Sequence, residues 1–209
     1  MVTEGMDSFR RHLGAPLPLA SLAVFRVLFG LAMLLSVVRF VAKGWVEELY
    51  IQPAYHFTYH GFGWVEPPSG MGMYWLFGAI GLAALCVALG FLYRFAIVVF
   101  FILFTWVELI DVATYLNHYY FVSVVSLLLT FMPAHRMFSI DVMLRPTLRT
   151  AVTPRWTVWI LRFQLGATYF FAGVAKLNAD WLFEAQPLRT WLKAWAHLPL
   201  VGPLLSEVW

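Results

Sequence analysis

Residues 19–40 read LASLAVFRVLFGLAMLLSVVRF, with Arg26 and Arg39 the only charges. A helix rises about 1.5 Å per residue, so crossing a hydrocarbon core of about 30 Å takes about 20 mostly apolar residues. Leu19–Phe40 meets that length. Working outward, four further stretches qualify or nearly do: about Gly72 to Tyr93, about Phe95 to Ile110, Tyr119 to Met132 (which is short), and about Trp156 to Val174. Backbone amides in lipid must be satisfied within the segment, so these spans are helices. The expected fold class is all-α: a polytopic transmembrane helical bundle of about five spans plus interfacial helices. It is read as one domain over residues 1–209. The apolar, interfacial-looking end at Trp209 reads as a cut through a longer chain.

Composition agrees. The 209 residues are 62% hydrophobic, 18% aromatic and 12% charged, with a mean hydropathy of +0.76. A soluble domain carries roughly a quarter charged residues. A disordered chain is excluded, and a nucleic-acid partner is not expected, because the net charge of +3 arises from few charges in total. Arg10 and Arg11 precede an apolar run too long for a signal-peptide core, so it reads as a retained first span. Cys86 is the sole cysteine and stands in an apolar run, which leaves no intramolecular disulfide or cysteine-rich metal site.

Two stretches are apolar but broken by Gly, Pro and charges. Residues 44–68 hold Trp45, Tyr50, Tyr55, His56, Phe57, Tyr59, His60, Phe62 and Trp64; residues 181–209 hold Trp191, Trp195 and Trp209. Tyr and Trp at this density are expected at headgroup level. With a cytoplasmic N-terminus, Arg94, Arg136, Arg145, Arg149 and Arg155 join Arg10 and Arg11 on the inner side. Arg39, Lys43, Lys176, Arg189 and Lys193 fall outside, so the bias has the positive-inside sign.

Ionisable groups at membrane depth are costly and face a partner or a cavity. The candidates are Arg26, Glu108, Asp111, Arg162 and Lys176, with Asn117, His118, Gln164, Asn178 and Asp180 near them in sequence. Helix packing is expected to converge them into one pocket at the end opposite the N-terminus. Arg26, Glu108 and Arg162 read as structural intramembrane charges, the arginines pairing with Glu108, Asp111 or backbone carbonyls. Lys176 closes the apolar run Tyr169–Ala175. A dry ammonium sheds its proton more readily, which suits a general base; the alternative is a lysine whose stem snorkels to the interface. His118 orients a base or a substrate hydroxyl, or is a hydrogen-bonded interfacial histidine.

His56 and His60 would share a helical face, yet two imidazoles make a weak metal site and no third ligand has suitable spacing. No metal is expected. Gly70-Met71-Gly72-Met73 carries neither nucleotide fingerprint, and no nucleophile elbow is present.

Several stretches together resemble one family: Ser21–Gly30, Leu89–Arg94, Leu116–Tyr120, Leu129–Pro133, Ser139–Asp141 and Phe171–Trp181. They are similar to the membrane domain of the vitamin K-dependent gamma-glutamyl carboxylases, in particular the bacterial HTTM-domain proteins, from about Ser8 onward. The most specific are Asn117-His118 and Lys176-Leu177-Asn178-Ala179-Asp180-Trp181. The resemblance implies an integral membrane lyase using vitamin K hydroquinone or a related quinol, with O2 and CO2 as co-substrates. In that family a lysine deprotonates the hydroquinone, reaction with dioxygen yields a strongly basic alkoxide, and this removes a glutamate γ proton. Carbon dioxide then captures the carbanion, leaving gamma-carboxyglutamate and quinone epoxide. Lys176 falls on the lysine and His118 on the active-site histidine, with Asn117, Asp111, Asn178 and Asp180 around them. A chemistry of this kind must exclude water. Two positions depart from animal members: Ala175 stands where they have a second lysine, and Asn178 where they have Asp. The further spans and β-rich domain of the family do not occur before Trp209, so substrate choice is not legible.

The implied partners are a lipid bilayer and a glutamate-containing protein or peptide. The implied location is a bacterial inner membrane with Lys176 on the periplasmic side, or the endoplasmic reticulum of a eukaryote. Quinol epoxidation or oxidation without carboxylation is the alternative within enzymes. A non-catalytic scaffold or transporter, with Lys176 paired to Asp111 or Asp180, is the alternative outside them.

Overall fold

The computed structural model describes residues 11–194. Two compact units divide the chain between Arg162 and Phe163. Arg10, Trp195 and Trp209 lie outside the described residues.

The first unit is built on four consecutive helices: α1 (Ala20–Ala42), α2 (Met71–Leu89), α3 (Tyr93–Ile110) and α4 (Asn117–Thr130). Consecutive helices pack on one another, α1 on α2, α2 on α3 and α3 on α4, the last two pairs through short connections and the first through the long segment 43–70. Three of them, α1, α2 and α3, are long and apolar enough to cross a membrane. The other two expected spans are helices too, one short and one more polar. At 14 residues α4 covers only about 21 Å, and α6 (Arg155–Val174) carries Arg155, Arg162 and Gln164. Among the described residues, three helices meet both the length and the apolar composition of a span.

Small residues decide how α1 and α2 approach. Gly81, Ala84 and Ala88 fall on one face of α2. A Cβ on Gly30 of α1 would stand 2.5 Å from the Ala88 nitrogen and 2.7 Å from the Ala84 oxygen, so the backbones touch there. Gly81 faces Val37 in ordinary contact. Toward the C-terminal end of α1 the contact widens and is filled by rings, Phe40 stacking on Phe77 at 5.0 Å.

The connection from α2 to α3 is tighter than the run of apolar residues suggests. Gly90 takes φ +63°, and the amide of Phe91 donates to the Cys86 carbonyl at 2.9 Å, closing α2 at Leu89. Tyr93 accordingly opens α3 instead of ending α2. Asp141 caps the new helix: its carboxylate accepts from the amides of Leu92 (2.8 Å) and Tyr93 (3.0 Å). Beyond α4 the chain forms α5 (Ile140–Leu144), then pairs β1 (Pro16–Pro18) antiparallel with β2 (Val152–Pro154).

The aromatic segment 44–68 is mostly loop. A single π-helical turn covers Glu47–Ile51, and the remainder is loop pinned by bonds such as Val112 N–H to the Phe57 carbonyl at 2.7 Å. Glycines at 61 and 63 and Pro53, Pro67 and Pro68 prevent a helix from propagating. In the second unit α6 is followed by α7 (Ala179–Leu182) and α8 (Gln186–Ala194).

Candidate functional site

Arg26 is fully buried. Its Nη1 donates to the Val87 carbonyl at 2.8 Å and its Nη2 to the Phe138 carbonyl at 2.6 Å. Those acceptors lie at the α2–α3 turn end of the bundle, so Arg26 joins neither Glu108 nor Asp111. Of the partners weighed for it, backbone carbonyls are the ones it has. The same end collects Leu89–Arg94, Leu129–Pro133 and Ser139–Asp141. Asp141 N–H donates to the Gly90 carbonyl (3.0 Å), Tyr93 Oη to the Leu129 carbonyl (2.8 Å), and Arg94 Nη1 to the Thr130 carbonyl (2.7 Å). Ser139 Oγ bonds the His135 carbonyl, and the His135 ring stacks on Tyr93 at 5.2 Å. Four of the six stretches that carry the family resemblance thus meet in a structural junction. Burial, with Arg94 adding to it, pushes the His135 imidazole below its usual range.

The opposite end holds the polar groups of α3. Asp111 is buried and engaged locally: Oδ2 lies 3.1 Å from His56 Nδ1, and Oδ1 accepts from Ala113 N–H (2.8 Å) and Phe57 N–H (3.3 Å). This His56–Asp111 pair is a feature that sequence reasoning missed. Its members stand 55 positions apart, and no local spacing announces it. His60 is exposed in the loop and does not share a helical face with His56.

Glu108 lies in the last turn of α3. Its Oε2 accepts from Ser123 Oγ of α4 at 2.5 Å, and Ser123 Oγ in turn accepts from Thr105 Oγ1 at 3.2 Å. Its Oε1 is buried without a hydrogen-bond partner. Glu108 also lines a cleft of about 620 Å³, counting its open mouth, walled by α1, α2, α3 and the segments around Tyr50 and Tyr115. Burial holds the Tyr50 phenol up at about 12, so it is a protonated hydroxyl on the cleft wall near neutral pH. Arg162, at the close of the first unit, is exposed.

Asn117 and His118 open α4 and are both exposed; the His118 ring meets Tyr119 edge-on at 4.5 Å. In the second unit residues 173–182 form a compact helix–turn–helix corner. Lys176 N–H donates to the Gly173 carbonyl and Leu177 N–H to the Val174 carbonyl, each at 3.0 Å. Asn178 caps α7, its Oδ1 accepting from Trp181 N–H at 3.1 Å while its Nδ2 donates to the Ala175 carbonyl at 3.0 Å. Asn is well suited to that role, so its presence in place of Asp leaves the corner intact. Asp180 is exposed in the first turn of α7. The corner sets Lys176 Nζ over the Trp181 ring, 4.9 Å from its centroid. Lys176 is exposed rather than enclosed by the second unit, so the side-chain burial expected for it is not supplied there. Among the described residues no ion pair joins it to Asp180, and Asp111 is taken by His56.

These features define the class: a polytopic integral membrane protein of the helical-bundle type, with its polar side chains gathered at helix ends and corners. The chain belongs to the HTTM domain family, whose model matches residues 15–209. HTTM domains occur in vitamin K-dependent carboxylase-like proteins. No solved structure matches the chain.

Proposed function

We propose that this chain is the membrane part of an enzyme that couples epoxidation of vitamin K hydroquinone, or a related quinol, to carboxylation of glutamate in a protein or peptide. The observation that carries the reading is the corner at residues 173–182. A capped turn, rigid at Asn178, holds one amine over one indole ring. Family membership over residues 15–209 supports it.

In this reading Lys176 takes the hydroxyl proton of the quinol, and His118, beside Asn117, orients a hydroxyl or the base. Lys176 stands open, so a lipid-borne substrate reaches the amine directly, and substrate and acyl chains supply the dry surroundings a neutral amine requires. O2 and CO2 are co-substrates, and the glutamate-bearing chain approaches from the non-cytoplasmic side. Arg26, with its two backbone acceptors, contributes by holding the bundle rather than by touching substrate.

The test substitutes Lys176→Ala in the protein in its native membrane and measures hydroquinone epoxidation together with labelled CO2 uptake into a glutamate peptide. Loss of a general base costs typically 10²–10⁴-fold, so epoxide formation should fall at least about a hundredfold. Epoxidation at the unsubstituted rate overturns the assignment. Epoxide without CO2 uptake in the unsubstituted protein would favour the quinol-oxidising alternative. A structural role for Lys176 has the indole contact on its side. That role predicts a lowered melting temperature in Lys176→Ala, rescued by Lys176→Arg; the base assignment predicts that arginine rescues nothing.

A further inference from the structure

We infer that the arginine-rich end of the first unit, formed by the α2–α3 turn and residues 131–149, is a docking surface for an anionic phospholipid. Arg136, Arg145 and Arg149 hold the headgroup phosphate, and the apolar side chains turned outward beside them enter the acyl layer. The inference rests on the first unit alone and is independent of the role proposed for Lys176.

Three observations carry it. The first is depth. α2 ends at Leu89 and α3 begins at Tyr93, and both have the length and composition of spans. The turn between them therefore stands at the bilayer boundary, level with the headgroups. Hydrogen bonds fasten the rest of the surface to that turn: Asp141 N–H reaches the Gly90 carbonyl at 3.0 Å, and Arg94 Nη1 the Thr130 carbonyl at 2.7 Å.

The second is charge. Residues 89–96 and 130–155 contain five arginines and a single acid, Asp141. Both oxygens of Asp141 are committed to capping α3, accepting from Leu92 and Tyr93 N–H. Arg94 is held by the Thr130 carbonyl, and Arg155 lies against His12. Arg136, Arg145 and Arg149 are exposed, and no ion pair among the described residues involves them. Backbone bonds draw their segments together: Thr150 N–H donates to the Arg136 carbonyl at 3.3 Å, and Leu148 N–H to the Arg145 carbonyl at 3.0 Å. Guanidinium forks match phosphate oxygens two at a time. With no free acid among them, these arginines favour a lipid of net negative charge over a zwitterion, whose own ammonium they repel.

The third is the backbone at two apolar residues. Phe138 and Leu92 take φ +51° and +45°, a left-handed conformation that favours glycine and strains a bulky residue. Their main chains are used inward: the Phe138 carbonyl accepts from Arg26 Nη2 at 2.6 Å, and Leu92 N–H donates to Asp141 at 2.8 Å. Their side chains are turned out, 60% and 58% exposed, and Met143 and Leu144 on α5 are more exposed still. Glycine would satisfy the backbone at both positions, so what the side chains contribute lies outside the protein. Such groups are unfavourable in water and favourable among acyl chains. A soluble polyanion would meet the arginines but leave these side chains wet; a phospholipid satisfies both.

The test titrates the full chain in detergent with phosphatidylglycerol and with phosphatidylcholine of the same acyl chains, bound lipid being counted by native mass spectrometry. Each arginine at an anionic surface corresponds to about fivefold in affinity, so three should favour phosphatidylglycerol by about a hundredfold. Arg145→Gln combined with Arg149→Gln should weaken phosphatidylglycerol about 25-fold and change phosphatidylcholine by less than about twofold. Phe138→Gly relieves the strain and keeps the carbonyl that Arg26 uses. It should weaken both lipids about fivefold, the value of the exposed part of the ring, while the melting temperature stays within about 2 °C. Equal affinities for the two lipids, a preference that survives the double arginine substitution, or unchanged lipid binding by Phe138→Gly each overturns the surface. A melting temperature lowered by more than about 5 °C in Phe138→Gly also does so, because it assigns the ring to the fold. Displacement of phosphatidylglycerol by glycerol 3-phosphate or by polyglutamate would reassign the arginines to a free anion or to an acidic protein, and overturns the lipid.

Discussion

Replacing Arg26 by methionine should lower the stability of the bundle by about 3 kcal/mol. Methionine keeps the length and flexibility of the stem and loses the guanidinium. The buried Val87 carbonyl and the partly buried Phe138 carbonyl then lose their donors, the first costing up to about 3 kcal/mol and the second nearer 1 kcal/mol. Set against that is the release of a buried charge that already leaves its Nε unpartnered, a gain that makes apolar replacement of buried ions less damaging than a count of bonds implies. The net loss of about 3 kcal/mol corresponds to a fall in melting temperature of about 6–12 °C for a chain of this size. The assay is thermal unfolding of the detergent-solubilised protein followed by loss of its monodisperse elution peak. Arg26→Lys keeps the charge but offers a single point donor where two carbonyls lie on different segments, so it should recover only part of the loss. A melting temperature for Arg26→Met within 1 °C of the unsubstituted protein would refute the view that this side chain ties α1 to the α2–α3 turn and the Phe138 loop.

Two further outcomes follow from the same junction and from the α1–α2 contact. Gly30→Val places side-chain carbons where the Ala84 oxygen and Ala88 nitrogen stand 2.5–2.7 Å from a built Cβ; the helices must part, and stability should fall by about 2–4 kcal/mol, read as a lower melting temperature. His135 has a folded value below its ordinary 6.5 because it is buried and faces Arg94, Arg136 and Arg26, with only Asp141 opposing. The unfolded chain then binds the proton first as pH falls, so stability is full above about pH 6.5 and declines below it. Melting curves at pH 7.5 and pH 5.0 should differ in the native protein, and the difference should shrink in His135→Phe, which keeps the stack on Tyr93.

The span boundaries are legible in the sequence. Apolar runs of bilayer length placed the first three helices within a few residues, and Gly90 marked the one sharp reversal between them, because a left-handed backbone there favours glycine. What hydropathy does not measure is whether a marginal run is a span. Tyr119–Met132 and Trp156–Val174 are helical nearly as read, yet one is short and the other carries Arg162 and Gln164. Residues 44–68 read as interfacial from their Tyr and Trp, and Gly and Pro at close intervals make them mostly loop.

The candidate sites divide in the same way. Lys176, Asn178 and Trp181 are close in sequence, so their corner follows from local capping chemistry, and the motif could be recognised from the residues alone. The partners of the other intramembrane groups could not. Arg26 reaches across 61 and 112 positions, His56 and Asp111 across 55, and Glu108 and Ser123 across 15 between different helices. Such pairings depend on helix order, rotation and depth, which composition leaves free. The sequence by itself determined that these chains of apolar residues are helices in lipid and that a few ionisable groups ride within them. Only tertiary structure decided which backbone or side chain each group meets, because a buried charge takes whatever donor or acceptor the packing brings within 3 Å.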